Sequence, residues 1–391
     1  MSTREPFDVA VVGAGPVGAA LALALARDGW RIALVEQRAP EPVLAETPLD
    51  IRVSALAPRS RRLLEELGVW SACAARAQAY TAMEVCDAHS PGRLRFDAAE
   101  YGWAELGHIV ENRLLSDRLW QALAQESRVR VHCPAQIESL QHEAGITQLG
   151  TNAGVLRARL VVGADGAASR VRELLGLGFA GRDYAERGLV AHVLSEQPHG
   201  AVARQRFLAS GPIALLPLVD GRCSIVWTLP EAEAQRQLAL EPAQFEAALT
   251  RASDGQLGRL RLDSARAAFA LQRRSAPRFI DAGVALVGDA AHQVHPLAGQ
   301  GMNLGFDDVL LLRQLLAAAR AAGRAAGSAS DLRRYERERR SEAAIAAQVF
   351  EALHDIYRPH QGPLAVLRGI GMRAIDTQGW LKKLLAQQAA G

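Results

Sequence analysis

The sequence predicts an α/β fold with a discontinuous parallel-sheet domain, an inserted and mainly antiparallel β-sheet domain, and a helical C-terminal region. Three observations predict it. A strand–turn–helix pattern with three closely spaced glycines begins at Phe7, strand-like segments alternate with turns between residues 181 and 279, and a strand–helix pattern returns from Ala285 to Leu316. We expect the first domain to comprise residues 1–80, 106–180 and 280–330, the sheet domain residues 81–105 and 181–279, and the helical region residues 331–391.

The composition is that of a globular protein with a substantial core. The chain has 391 residues, of which 49% are hydrophobic and 22% are charged. Its formal net charge of +3 is too small to indicate nucleic-acid binding, and the basic run 333–340 is interrupted by glutamates, as on a solvated helix face. We therefore expect no nucleic-acid partner.

The cysteines and the N-terminus favour a cytoplasmic location. The four cysteines contain no Cys-x-x-Cys pair, so they indicate neither a zinc site nor a disulfide framework. The N-terminus lacks a basic region, and the apolar run Val17–Ala26 is too short to span a bilayer. Any membrane contact, for example at the inner face of the membrane, should be peripheral.

A dinucleotide fingerprint begins the first domain. The strand ending at Val12 is followed by Gly13-Ala-Gly15-Pro-Val-Gly18 and a helical stretch, and the next strand ends in Glu36. The first glycine allows the turn, the second lets a pyrophosphate approach the helix N-terminus, and the third permits close helix–strand packing. The acid should bind ribose hydroxyls and disfavours a 2′-phosphate, so the pattern indicates FAD or NAD rather than NADP.

A second carboxylate, Asp165, follows another apolar strand in Gly163-Ala-Asp-Gly166, and Ser169 is placed to cap the next helix. Asp165 either contacts a cofactor or is solvated in a capped turn. The segment Gly176–Gly181 matches the glycine spacing of the fingerprint, but no helix with an apolar stripe follows it. We therefore expect a single dinucleotide fold.

The middle of the chain predicts a sheet with one helix, Pro242–Arg251, and a hairpin turn at Asp220-Gly221. The expected strands are Ala82–Asp87, Arg93–Asp97, Leu189–Leu194, Ala203–Leu208, Ile213–Leu218 and Cys223–Leu229. Before this sheet, Arg52 precedes a helix at 58–67, either as a cofactor contact or in a surface salt bridge. Residues 108–113 are expected to open a helix that spans 114–125.

The stretch Ala285–Asn303 predicts a ligand site. A buried strand ends at Gly288-Asp289, where a carboxylate can accept hydrogen bonds from sugar hydroxyls. Gly299-Gln-Gly301 then precedes a helix that begins near Met302, so free N–H groups and the positive end of a helix dipole converge there, as an anion requires. A tight strand–turn–helix with a cap is the alternative, but it does not explain both glycine-rich blocks.

The C-terminal segment mixes apolar residues at helical spacing with basic ones. Its basic residues are Arg368, Arg373, Lys382 and Lys383. The pattern is typical of a helix packed on its own domain, and the alternative is a face that docks on a membrane or a partner protein.

These blocks together resemble, over essentially the whole chain, the FAD-dependent aromatic hydroxylases of the p-hydroxybenzoate hydroxylase fold. Within them, the chain looks most like the monooxygenases of ubiquinone biosynthesis. The resemblance is carried by the fingerprint, Asp50-x-Arg52-x-Ser-Ala-Leu56, Leu106–Asn112, Gly163–Gly166, Leu215–Leu218, Ser224–Trp227 and Gly288–Asn303. It implies a Rossmann-like FAD-binding domain and an inserted substrate domain.

The resemblance also implies roles for individual residues. The cofactor-binding residues would be Gly13, Gly15, Gly18, Glu36, Arg52, Arg113, Asp165, Gly288, Asp289, Met302 and Asn303. Pro296, Gly299, Gln300 and Gly301 would position the flavin edge and the substrate, with no acid or base assigned. Ala168 and Gln293 depart from the family pattern, in which Asn and Thr are frequent.

The implied reaction uses FAD, O2 and NAD(P)H or another electron donor, and proceeds through a C4a-hydroperoxyflavin that hydroxylates an electron-rich ring. The implied substrate is a polyprenylphenol, and the closest resemblance is to a member that hydroxylates ring position C5. The substrate would be delivered at a membrane surface or by proteins of a ubiquinone-biosynthesis complex. Another ring position, a soluble phenol or antibiotic, and a non-enzymatic flavin-binding scaffold are the alternatives. A flavin halogenase should carry Trp-x-Trp, which is absent, and His292 and His295 lack a third metal ligand pattern.

Overall fold

The structure is a computed structural model that describes residues 5–90, 92–293, 301–357, 372, 375–376 and 378–390. Its strands are β1 (Phe7–Val12), β2 (Ile32–Val35), β3 (Val53–Leu56), β4 (Gln78–Tyr80), β5 (Ala82–Asp87), β6 (Arg93–Asp97), β7 (Gly107–Glu111), β8 (Val129–His132), β9 (Ile137–Glu143), β10 (Ile146–Thr151), β11 (Gly154–Gly163), β12 (Ala180–Ser195), β13 (Val202–Leu208), β14 (Gly211–Pro217), β15 (Cys223–Pro230), β16 (Leu260–Leu262), β17 (Ala267–Ser275), β18 (Ile280–Asp281), β19 (Val284–Leu286) and β20 (His292–Gln293).

The helices are also numbered in chain order. They are α1 (Pro16–Arg27), α2 (Pro58–Glu66), α3 (Trp70–Cys73), α4 (Ala98–Tyr101), α5 (Asn112–Ala124), α6 (Arg170–Leu174), α7 (Glu231–Ala239), α8 (Pro242–Ala252), α9 (Gly301–Ala321), α10 (Ala329–Tyr357) and α11 (Gly379–Ala390). None of the described helices combines the length and apolar character needed to cross a bilayer.

The first sheet has the order β18-β19-β11-β1-β2-β8, with the hairpin β9–β10 extending from β11. Strand β1 lies between β11 and β2 and is parallel to both. Its residues Val9–Val12 are all buried, so both faces of the strand are covered, and this explains why the strand is apolar without alternation. The parallel pairing of Val161 with Val284 confirms that residues near 285 return to this sheet.

The second sheet has the order β20-β17-β12-β15-β14-β13-β5-β6, with β16 paired to β12. It is mainly antiparallel, with a parallel pairing of β13 and β5. Except for β20, its strands come almost wholly from residues 81–105 and 181–279, so we retain the expected domain division as a proposal. The expectation of one helix in this region was wrong, because Glu231–Ala239 forms α7, with Ala234 and Gln237 buried.

A third sheet of three strands, β3-β7-β4, joins the two large ones. The expectation that residues 108–113 open a helix was wrong for 108–111. These residues belong to β7, which pairs with both β3 and β4, and the helix α5 begins at Asn112. Pairing with two distant strands therefore overrides the local sequence pattern.

Two glycines allow close packing in the first domain. A Cβ on Gly18 would lie 2.0 Å from the carbonyl oxygen of Gly13, so α1 can approach the turn after β1 only with glycine here. A Cβ on Gly305 would lie 2.5 Å from Cγ2 of Val17, so the same argument holds where α9 crosses α1. Helix α9 is thereby held directly behind the turn that ends β1.

A buried ion pair joins α9 to α10. Asp308 has no exposed surface, and it faces the guanidinium of Arg339, which is 2% exposed. Arg339 also donates to the carbonyl oxygen of Leu304 at 3.0 Å, and the Tyr335 hydroxyl donates to the carbonyl oxygen of Leu286 at 2.8 Å. Helix α10 is therefore connected by buried polar contacts to both α9 and β19.

We expect Arg339→Leu to destabilise the protein by about 3–5 kcal/mol, because the substitution leaves the Asp308 carboxylate buried without its cation. Urea denaturation followed by circular dichroism measures the change. Arg340→Leu is the matched control, since Arg340 lies next to it and is exposed. Equal effects of the two substitutions would contradict the assigned role of the ion pair.

Candidate active site

The turn between β1 and α1 leaves space for a ligand at one glycine. Gly13 has φ +97°, and a Cβ there would lie 2.5 Å from the carbonyl oxygen of Ala164. A Cβ on Gly15 would meet nothing within 4 Å, and no side chain caps the α1 N-terminus at this residue. The first N–H groups of α1 therefore face an open space, as binding of a pyrophosphate requires.

Glu36 follows β2 and lies beside this turn. One carboxylate oxygen, Oε2, accepts a hydrogen bond from the backbone N–H of Ala14 at 2.6 Å. The other, Oε1, accepts from the N–H groups of Gln37 at 2.7 Å and Arg38 at 3.1 Å. The backbone thus fixes the acid next to the glycine turn, where the sequence predicts ribose binding.

Asp165 has a local role at the end of β11. Its Oδ2 accepts hydrogen bonds from the N–H groups of Arg170 at 2.7 Å and Val171 at 3.1 Å, and its Oδ1 accepts from the Ser169 hydroxyl at 2.5 Å. Ser169 caps α6 by accepting from the N–H of Arg172 at 3.0 Å, which confirms the predicted cap. A direct contact between Asp165 and a cofactor stays a prediction.

Asp289 follows Gly288, whose φ is +57° and whose N–H donates to Oδ2 of Asp308 at 2.7 Å. Asp289 is exposed, but nearby protein atoms partly desolvate its carboxyl group. This desolvation raises its pKa, and the charges of His292 and Arg52 oppose the increase only in part.

Arg52 and Arg113 are placed differently. The Arg52 guanidinium lies 4.9 Å from the centre of the Phe269 ring and is near enough to Asp289 for their charges to interact. Arg113 forms an ion pair with Glu41 at 2.9 Å. Its Nε is buried and has no hydrogen-bond partner in the described part of the chain, so this donor is available to a ligand.

Asn303 joins the start of α9 to β3 and α2. Its Oδ1 accepts from the N–H of Ala57 at 2.9 Å and from the Ser60 hydroxyl at 2.7 Å, and its Nδ2 donates to the carbonyl oxygen of Ala55 at 2.9 Å. A Cβ on the nearby Gly301 would meet nothing within 4 Å. The α9 N-terminus is therefore fixed by a side-chain amide beside an open space.

The other predicted residues of this stretch have different outcomes. Met302 is half-buried and packs against the core of the first domain. Pro296, Gly299, Gln300 and His295 lie outside the described residues, so their expected roles stay predictions.

His292 belongs to the buried cluster around Asp308. Its Nε2 lies 2.8 Å from Oδ2 of Asp308. Burial alone would raise the pKa of Asp308, but the charges of His292 and Arg339, together with the hydrogen bonds from His292 and Gly288, hold it below its usual value. Among the residues that the structure describes, no three His, Cys, Asp or Glu side chains form a group suited to a metal ion.

An apolar pocket begins at Asn303 and lies between the second and third sheets and α11. It is lined by Ala55, Ala57, Tyr80, Met83, Phe96, Trp103, Leu106, Ile109, Ala203, Arg204, Gln205, Ala214, Leu216, Asn303, Leu385 and Ala386. Pairing of β14, β13, β5 and β6 aligns Leu216, Ala203, Met83 and Phe96 as one wall. The pocket can accept a largely apolar molecule.

The polar groups of the pocket are few. Gln205 is 8% exposed and lines the pocket. Burial raises the pKa of Tyr80 to about 12, so its phenol stays neutral at physiological pH. The pocket thus offers the amides of Gln205 and Asn303, the neutral hydroxyl of Tyr80 and the guanidinium of Arg204, which lies 3.5 Å from Glu84. No carboxylate is among its lining residues.

The comparisons with known proteins match this arrangement. A family model described as an FAD binding domain matches residues 6–350. The 3-demethoxyubiquinol 3-hydroxylase of Escherichia coli (strain K12) is 37% identical over 100% of both chains. The chain belongs to the FAD-dependent aromatic hydroxylases of the ubiquinone-biosynthesis type. The enzyme is also 36% identical to "Ubiquinone hydroxylase UbiL" of Rhodospirillum rubrum, over 100% of this chain and 91% of the relative.

Solved structures share the fold of this hydroxylase. The p-nitrophenol 4-monooxygenase PnpA of Pseudomonas putida DLL-E4 has a TM-score of 0.78 at 21% identity, over 99% of this chain and 98% of that chain. PqsL of Pseudomonas aeruginosa, described as a probable FAD-dependent monooxygenase, has a TM-score of 0.75 at 26% identity, over 95% and 100%. The predicted α/β fold class is thereby confirmed.

The residues present fit FAD, the cofactor of the family. The open space at Gly15 and the unpaired Nε of Arg113 suit a pyrophosphate, and Glu36 is placed for a ribose. Asp289 and the N-terminus of α9 would hold the remaining part of the cofactor, next to the apolar pocket.

Sequence reasoning missed Asp308, Arg339 and Gln205. Asp308 and Arg339 lie in helical patterns, where a charged residue is usually expected on the solvent-exposed face. A signal for Asp308 was its place among apolar residues, since Phe306 and Val309 are both fully buried beside it. The signal for Gln205 was a polar residue at a strand position that faces inward with Ala203.

We expect Gly15→Ala to weaken FAD binding by at least roughly tenfold, or about 1.4 kcal/mol, because its Cβ would occupy the space above the α1 N-terminus. The backbone at Gly15 has φ −63°, which alanine adopts, so the stability of the flavin-free protein should not change. Fluorescence titration of the flavin-free protein with FAD measures affinity. Gly18→Ala should instead lower the urea midpoint, and wild-type FAD affinity in Gly15→Ala would contradict the assignment.

The raised pKa of Asp289 predicts a pH-dependent effect of Asp289→Asn. Because the folded-state pKa exceeds the ordinary value of 3.8, ionisation of this carboxyl opposes folding of the flavin-free protein. The substitution should therefore stabilise that protein at pH 7, and the gain should shrink as the pH falls through the folded-state pKa. Urea denaturation across this pH range measures it. A gain that is constant with pH would refute the explanation, and FAD content of the variant should be reduced.

Proposed function

We propose that this enzyme hydroxylates the aromatic ring of a polyprenylated intermediate of ubiquinone. The observation that carries the proposal is the apolar pocket that extends from Asn303 to Leu385, which is 38% exposed and so brings the pocket wall to the surface. A ring could lie at the Asn303 end, and an apolar tail longer than the pocket could leave past α11. Relatives of matching length are named 3-demethoxyubiquinol 3-hydroxylase and ubiquinone hydroxylase, which supports this substrate class.

The chain's own residues bind, orient and shield the substrate. When bound, FAD supplies the redox chemistry that transfers oxygen to the ring. The wall formed by Met83, Ala203 and Leu216 would exclude water from the ring, as a reactive oxygen-transfer site requires. The buried amide of Gln205 would bind a ring oxygen and fix which carbon faces the flavin. No acid or base is needed among the pocket residues for these roles.

Two ring positions are candidates. The segments Met83–Asp87, Gly107–Asn112 and Cys223–Trp227 resemble most closely those of a family member that hydroxylates C5 of a polyprenylphenol. The second candidate is the position implied by the name of the Escherichia coli relative, whose substrate would be a demethoxyubiquinol. We place C5 first, because two of these segments contribute Met83 of β5 and Ile109 of β7 to the pocket wall.

The polyprenyl tail of the substrate affects where in the cell the enzyme would act. A polyprenyl chain resides in a bilayer, so the enzyme would receive its substrate at the inner face of the membrane or from proteins of a biosynthetic complex. The contact would be peripheral. Exposed Leu384 lies on α11 near the pocket mouth and could take part in it.

Deletion of the gene in its host, followed by mass spectrometry of the quinone pool, tests the proposal. We expect loss of ubiquinone and accumulation of a polyprenylphenol that has not been oxygenated at C5. Accumulation of a demethoxy intermediate, which lacks one methoxy group, would favour the second position. Re-expression of the wild-type gene should restore ubiquinone, and re-expression of the Gly15→Ala variant should restore less. An unchanged quinone pool would refute the proposal.

A further inference from the structure

The C-terminal helix α11 carries a buried lysine. Lys382 is 6% exposed, and its Nζ lies 3.0 Å from Oε2 of Glu100 and 3.2 Å from Oδ1 of Asp376. We name these three residues the Lys382 cluster. Burial disfavours the charge of the ammonium, but the hydrogen bonds to the two carboxylates outweigh that effect and raise its pKa. A lysine buried between two carboxylates is held in one place.

The Lys382 cluster connects α11 to the edge of the second sheet. Glu100 lies in α4, which directly follows β6. Asp376 also accepts a hydrogen bond from the backbone N–H of Arg95 in β6, at 3.2 Å. One contact therefore joins α11 to α4, and the other runs through Asp376 to β6, the strand that carries Phe96 of the pocket wall.

Leu385 and Ala386 lie three and four residues after Lys382, so all three share one face of the helix. Both line the pocket, as does Asn303 at the start of α9. Ala386 is 8% exposed, whereas Leu385 is 38% exposed and lies at the mouth. The position of Lys382 therefore determines where these two residues stand in the pocket.

We propose that α11 is the pocket wall that selects for the apolar tail of the substrate, and that Lys382 positions this wall. The identity of the tail rests on the proposed function. Leu385 and Ala386 contact the tail where it leaves the pocket, far from the ring. Loss of the Lys382 cluster should therefore weaken binding of tailed substrates without changing the chemistry at the flavin.

Lys382→Met is the test variant, because methionine keeps much of the side-chain volume but cannot bind the carboxylates. Glu100 and Asp376 are 49% and 39% exposed as side chains, so water can solvate them and the protein should fold. Lys383→Met is the matched control, since Lys383 is adjacent and exposed. Lys382→Arg keeps the charge and should retain most of the wild-type behaviour.

Two measurements on the FAD-loaded enzyme test the proposal. Hydrogen–deuterium exchange of residues 379–390 should be faster in Lys382→Met than in the wild type and in Lys383→Met. The KM for a phenol with several isoprene units should rise roughly fivefold in Lys382→Met, which corresponds to about 1 kcal/mol, with kcat and the KM for a single-isoprene phenol unchanged. Leu385→Ala should change the KM values in the same way.

The outcomes separate the parts of the proposal. Equal exchange in Lys382→Met and Lys383→Met would overturn the positioning role of Lys382. Faster exchange with a KM change that is independent of tail length would overturn the role of α11 in selection. A wild-type enzyme that oxidises neither phenol would contradict the proposed function instead, and the exchange measurement would still decide whether Lys382 positions the helix.

Discussion

The arrangement of the cofactor side of this enzyme depends on one buried carboxylate. Asp308 accepts hydrogen bonds from the N–H of Gly288 and lies against His292 and Arg339, so a single side chain contacts the turn after β19, strand β20 and helix α10. A buried carboxylate is stable only when such partners compensate its lost hydration. Because those partners belong to different elements, satisfying this charge also fixes where Asp289 stands relative to α9.

Local sequence patterns predicted the cofactor side well. The turn at Gly13–Gly18, the acid at Glu36, the cap at Ser169 and the start of α9 near Met302 all appear where they were expected. Each depends on backbone geometry within a few residues, such as a positive φ or a free helix N-terminus, and that geometry restricts the residue types directly. Because such local constraints restrict the residue types at single positions, one sequence is enough to detect them.

The features that the sequence did not predict depend on contacts between distant segments. Residues 108–111 form a strand only because β3 and β4 lie on either side of β7, and α7 has few apolar residues because only a narrow stripe of it is buried. The ion pair of Asp308 and Arg339 joins two helices, so the sequence around either residue does not show which residue it pairs with. The pocket draws its lining from β3, β5, β13, β14 and α11, and its shape could not be inferred from any one of them.

The crossing of α1 and α9 restricts how this sequence can vary. The side chain of Val17 fills the space that a Cβ on Gly305 would need, and it also lies 3.4 Å from the position of a Cβ on Gly288. Three segments therefore share one fixed volume. A larger residue at 305 requires a smaller one at 17, so these two positions should change together during evolution, and a chimera that exchanges only one of the helices will carry either a clash or a void.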